Sequence, residues 1–151
     1  GFDRSRGALV ASGIPLLSIL GRIGFGWLGD VYNKKTVMAA ALGMMGLGMA
    51  ALSFSRHFWL LIPFLLLFSP GFGGNTTLRG SIIKESFGSA AFGRLLGVTM
   101  GVSSIGGIAG PVLAGWAFDA LGTYNHIWLV FTGLTAISAA LILSLSPPDP
   151  D

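Results

Sequence analysis

Arg22 is the residue whose position most needs a chemical explanation. It lies inside an apolar run, about eight residues from the charged end at Asp30, or roughly 12 Å deep at 1.5 Å per helical residue. A cation at that depth is costly and faces a cavity or a partner. Arg22, Gly26 and Asp30 follow one another at four-residue steps and so share one helix face. Arg79 is the second such residue, placed after Ser69-Pro70-Gly71-Phe72-Gly73-Gly74 and Asn75-Thr76-Thr77. With Asn75, these two arginines are the candidate site residues, and Arg79 could help bind an anion or line an exit path. The structural alternative is an ion pair: a missing interhelical partner for Arg22, and Glu85 or Asp119 for Arg79.

A second set sits at the run ends. Asp30 closes one run, where a helix macrodipole disfavours negative charge, and Lys34 and Lys35 open the next, where it disfavours positive charge. Charges set against their dipoles need partners, either one another or another helix terminus. Arg94 with Asp119 forms a further expected latch across the same face.

Other patterns fail on context. Gly24-Phe25-Gly26-Trp27-Leu28-Gly29 has the spacing of a dinucleotide fingerprint, but no strand precedes it and no acid follows at the required distance. Asn75-Thr76-Thr77 matches a glycosylation acceptor, yet inside an apolar span no glycosylating enzyme reaches it. His57 and His126 have no companions at metal-ligand spacing. No catalytic constellation, metal site or cofactor motif emerges. Zero cysteines exclude disulfides, thiol catalysis and cysteine-based metal sites.

The elements that must carry these residues are membrane helices. Of the 151 residues, 52% are hydrophobic and only 10% charged, with a mean hydropathy of +0.77; soluble domains carry about 25% charged residues. The 24 glycines suit helices that pack closely in lipid. The nine basic residues form no run longer than Lys34-Lys35, which argues against nucleic acid despite the net charge of +3.

A 30 Å hydrocarbon core takes roughly 20 apolar residues per helix. The expectation is an all-α membrane protein, a polytopic bundle of about five spans near 8–30, 36–54, 58–87, 94–121 and 126–146, lodged in a lipid bilayer of plasma or inner-membrane type. The third span is expected to unwind around Ser69 to Gly74, and Pro15, Pro63, Pro70 and Pro111 to kink their helices. The stripe Gly106, Gly110 and Ala114, with the pair Gly97 and Gly101, reads as tight packing. The loops Asp30 to Lys35 and Lys84 to Arg94 share one side, and their lysines and arginine favour the cytoplasm over the side of Arg4, Arg6 and Arg56. Because the chain opens on Gly1 and an apolar run, it reads as part of a larger protein.

The segment Gly26-Trp27-Leu28-Gly29-Asp30-Val31-Tyr32-Asn33-Lys34-Lys35 resembles the signature loop of the major facilitator superfamily. Gly26, Asp30, Lys34 and Lys35 match; Val31 stands where the family has a basic residue and Asn33 where it has Gly, Asn being next best for a left-handed turn. Phe92-Gly93-Arg94, Gly97, Gly106, Gly110-Pro111, Gly115 and Asp119-x-x-Gly122-x-Tyr124 look like the tenth-eleventh loop and eleventh helix of monocarboxylate-transporter-like members.

The resemblance implies a partial major facilitator fold over 1–151, helices eight to twelve, with a gating latch of Gly26, Asp30, Lys34, Lys35, Arg94 and Asp119. It implies that Arg22 binds a substrate carboxylate, although Ser18 stands where those transporters have an aspartate. The expected partners are the N-terminal half and a small-molecule substrate with a possible coupled proton. Gly97, Gly106, Gly110-Pro111 and Gly115 also fit the fifth helix of drug/proton antiporters, which would make the chain helices two to six. A non-transporting membrane scaffold or sensor that kept the fold is the reading from another class.

Overall fold

A computed structural model describes residues 4–53 and 61–145, with side chains from residue 12 onward. Arg56, His57 and the tail from Pro147 lie outside the described residues, as do the side chains of Arg4 and Arg6. The described chain is helical: α1 (Arg4–Val31), α2 (Lys34–Ser53), α3 (Leu61–Leu121) and α4 (Asn125–Ser144). Each is long and apolar enough to cross a membrane.

A straight helix of α3's 61 residues would reach about 90 Å. It does not run straight, because Gly88 leaves helical geometry at φ 71°, ψ 175°. Arg79 donates from Nη1 to Ser103 Oγ at 2.9 Å. Those 24 residues would span about 36 Å if extended as one helix. The chain therefore turns back at Gly88, giving a first arm, 61–87, and a second arm, 89–121. A positive φ is tolerated there because glycine has no Cβ.

Contacts fix the directions. Gly13 meets Leu65, Gly26 meets Thr77 and Gly29 meets Leu78, so α1 and the first arm run parallel. Gly48 meets Phe68 while Gly71 meets Ala41, so α2 runs against them. Thr132 approaches Gly46 and Lys35 approaches Leu145, so α4 runs against α2. One end of the bundle thus gathers Asp30, Lys34, Lys35, Lys84, Glu85 and the end of α4. The other gathers Ser53, Leu61, Leu121 and Asn125.

The first arm is the keel. A Cβ on Gly73 would strike the Ser18 carbonyl, and one on Gly21 would strike Pro70. A Cβ on Gly71 would stand 2.6 Å from the Ala41 carbonyl, and one on Gly48 2.9 Å from the Phe68 nitrogen. Backbone meets backbone on both sides, as small residues allow in lipid. Beside this seam lies the core of Phe25, Val37, Ala41 and Leu78. At the far end Trp128 packs on Phe64 with centroids 6.3 Å apart, tying α4 to the first arm.

Two expectations about elements change. The segment Ser69 to Gly74 does not unwind; it is helical, and its glycines serve close approach to α1 and α2. The stretch Lys84 to Arg94 is helical apart from Gly88. Within this chain a Cβ on Gly97, Gly101 or Gly106 would meet nothing within 4 Å, and one on Gly110 only the Phe131 ring edge at 4.0 Å. Exposed Val102, Ile105, Ile108, Val112 and Trp116 cover the second arm.

Candidate functional site

Arg22 of α1 and Arg79 of the first arm line one open cleft of about 310 Å³ together with Thr76, Thr77, Leu96 and Met100. Parallel α1 and the first arm put the two arginines on neighbouring helices, and the turn at Gly88 brings Leu96 and Met100 across as the facing wall. Among the described residues neither arginine has a carboxylate within ion-pair distance. Thr76 Oγ1 donates to the carbonyls of Phe72 and Gly73 at 2.9 and 2.7 Å, and Thr77 Oγ1 to Gly73 at 3.2 Å. The hydroxyl protons are thus committed to backbone, and the guanidinium N–H groups are the strong donors facing the cleft. Such a site can take an anion by charge-assisted hydrogen bonds.

The expected pairing of Arg79 with Glu85 or Asp119 does not occur. Arg79 reaches Ser103 instead, and Glu85 holds Lys34 at 2.9 Å. Asn75 lies away from the arginines, lining a second, mostly apolar cleft with Met38, Leu42, Ser138 and Leu141. Ser18, where a family aspartate was expected, is buried at the α1 crossing, and its hydroxyl donates to the Pro15 carbonyl at 2.8 Å. It does not line the arginine cleft.

At the charged end, Asp30, Asn33, Lys34, Lys35 and Glu85 surround a smaller cleft of about 190 Å³. The dipole-opposed lysines do find partners. Lys34 takes Glu85, and Lys35 Nζ donates to the Leu145 carbonyl at 3.1 Å, just past the end of α4, where the macrodipole favours a cation. Gly26 faces Thr77 Cγ2 at 3.6 Å, so a larger residue there would press on the arginine cleft's wall. Asn33 does not take up a left-handed turn, since no described non-glycine residue has positive φ. Its Oδ1 accepts from Lys35 N at 3.0 Å and caps α2, the other role its short amide suits.

The Arg94–Asp119 latch is corrected on geometry. The two residues stand near opposite ends of the second arm, 25 positions apart, or about 37 Å along a helix. Asp119 belongs to the far end, where Gly122 at φ 66° donates to the Phe118 carbonyl at 2.8 Å and Phe118 stacks on Tyr124 at 4.5 Å. That is an αL helix stop, and it accounts for the Gly122 and Tyr124 spacing seen in the sequence. Among the described residues no cluster of His, Asp or Glu could hold a metal ion.

Sequence reading missed Ser103, Leu96 and Met100, because only the turn at Gly88 places them opposite the arginines. The sequence separated spans 58–87 and 94–121, but it carried no signal for which residues of the second would face the arginines.

Long apolar helices with cationic side chains in a cleft between them are the geometry of a polytopic membrane protein. The family model of the Major Facilitator Superfamily matches residues 1–151, and the chain belongs to that family of integral membrane transporters. It is similar to Monocarboxylate transporter 12 of Rattus norvegicus, at 28% identity over 97% of this chain and 31% of that protein. It is also similar to Monocarboxylate transporter 13 of Rattus norvegicus, at 23% identity over 96% of this chain and 34% of the relative. Protein spinster homolog 1 of Mus musculus matches at 27% over 98% and 28% respectively. The chain spans about a third of the length of these relatives. No solved structure matches it.

Proposed function

We propose that this chain supplies the C-terminal half, helices eight to twelve, of a secondary transporter that carries a small organic anion such as a monocarboxylate by alternating access. The carrying observation is the pair Arg22 and Arg79 in one cleft, with no carboxylate partner among the described residues. In this reading α3 provides two spans, one per arm, and the end bearing Lys34 and Lys35 is cytoplasmic. Asp30, Lys34, Lys35 and Glu85 form the latch cluster, and Arg94 follows the Gly88 turn at the same end. The degraded Val31 position and the similarity to two monocarboxylate transporters support this placement. The alternative is a drug/proton antiporter of the same superfamily, whose fifth helix Gly97, Gly106, Gly110-Pro111 and Gly115 also fit.

Arg22 would bind the substrate carboxylate and Arg79 would assist, while Asn75, on the other cleft, would act from outside this pair. Coupling to a proton would rest on a carboxylate from the partner half, since the arginine cleft has none.

The test is uptake by the full-length transporter in proteoliposomes. Arg22→Lys keeps the charge but loses the bidentate fork. Carboxylate uptake should fall at least tenfold, the equivalent of about 1.4 kcal/mol. Unimpaired carboxylate uptake in that variant would make Arg22 structural, and no carboxylate uptake by the native transporter would return the cargo to the alternative.

A further inference from the structure

Ser103 has no role in the transport reading so far, yet it is the acceptor for Arg79 across the Gly88 turn, at 2.9 Å. Its own proton is committed, because Ser103 Oγ donates to the Thr99 carbonyl at 2.8 Å. One turn earlier Thr99 Oγ1 donates to the carbonyls of Leu95 and Leu96 at 3.1 and 2.9 Å. The Ser103 oxygen is therefore turned to accept, and the Arg79 guanidinium is what it accepts from. This bond joins the first arm to the second directly over the cleft that Leu96 and Met100 close. Within this chain a Cβ on Gly97, Gly101 or Gly106 would meet nothing within 4 Å, and Val102, Ile105 and Ile108 of the same arm are exposed. Its turn, Gly88, is likewise free of neighbours within 4 Å.

We infer that Ser103 is a positioning residue that clasps Arg79 in the anion-free cleft and releases it to an entering carboxylate, so that occupancy frees the second arm to swing about Gly88. This rests on the proposed anion-binding reading of the cleft. A carboxylate is a stronger acceptor than a neutral hydroxyl, since charge-assisted bonds are roughly twice as strong as neutral ones. Bound substrate thus outcompetes Ser103 for the Arg79 N–H groups. The exchange needs no proton transfer, because the guanidinium donates in both states. An anion reaching Arg22 alone would leave the clasp shut, which makes Arg79 the reporter of a correctly seated carboxylate.

The experiment uses the full-length transporter, spin-labelled at Leu66 and Val112, which are exposed on the first and second arms at the end remote from Gly88. Pyruvate is the probe, with chloride at equal ionic strength as the control, and pyruvate binding is followed in parallel by calorimetry. Pyruvate should lengthen the Leu66–Val112 distance in the otherwise native protein. Ser103→Ala should show the lengthened distribution without pyruvate and bind pyruvate about tenfold more tightly, since one bond to a charged group no longer has to be displaced. Ser103→Thr, which keeps the hydroxyl, should restore both native values. Pyruvate that binds without changing the distance overturns the clasp and leaves the anion reading standing. Pyruvate that fails to bind overturns the anion reading. In that case an unchanged ligand-free distance in Ser103→Ala overturns the clasp as well.

Discussion

Ser69 carries the one buried side-chain hydroxyl among the described residues that lacks a hydrogen-bond partner. A buried, unpaired polar group is a net cost, so deleting it removes a penalty rather than an interaction. Ser69→Ala should leave thermal stability in detergent unchanged or raise it by up to about 1 kcal/mol. A marked fall in the melting temperature would mean that the hydroxyl has a partner. Lys34 and Glu85 make the opposite case. Their side chains are 26% and 61% exposed, so the ion pair contributes at most about 1 kcal/mol after screening. Glu85→Gln should barely move the melting temperature, and any loss of uptake it causes should be recovered by the swap Lys34→Glu with Glu85→Lys. At this scale the sequence was legible where cost spoke, as with Arg22 deep in an apolar run and the lysines set against a dipole. It was not legible where one side chain suits two roles. Asn33 is equally suited to a left-handed turn and to an N-cap, and only the backbone decides.

Helices α1, α2 and the first arm owe their packing to glycines whose missing Cβ is the point of contact. Gly73→Ala should push the carbon into the Ser18 carbonyl, which belongs to backbone and cannot rotate away. Overpacking of that kind costs about 1–3 kcal/mol, and the melting temperature should drop accordingly. Gly80 sits in the same arm with nothing within 4 Å, so Gly80→Ala should be neutral or gain up to about 1 kcal/mol from helix propensity. Gly88→Ala should cost about 1–2 kcal/mol despite open space around it, because an L-residue pays for positive φ. Composition alone could not distinguish these three glycines. A glycine-rich segment such as Ser69–Gly74 signals either a loose backbone or a close approach, and the neighbouring helices determine which.

For the whole molecule, the alternation of directions places the Asn33 turn and the Gly122 turn at opposite ends of the bundle. Reporter tags inserted at these turns in the full-length protein should be accessible from opposite sides of the membrane; access from one side for both would contradict the arrangement. The membrane class was plain in the composition, since 10% charged residues cannot clothe a water-facing surface. The placement of Asp119 was misjudged, because the expected latch with Arg94 overlooked that these two residues bracket one span, 94–121. The chain alone should show no uptake in proteoliposomes, whereas co-reconstitution with the remaining part of the transporter should restore it.

The glycine seam also bears on heredity. Every glycine codon lies one base change from alanine, valine, arginine and one acidic residue, and not one of these fits where backbone touches backbone. Gly21, Gly48, Gly71 and Gly73 are therefore positions where almost any missense change should be harmful, although none of them lines the arginine cleft. A saturation-mutagenesis map of uptake should show this as a furrow of intolerance running along the first arm, separate from the arginine cleft and deeper than it.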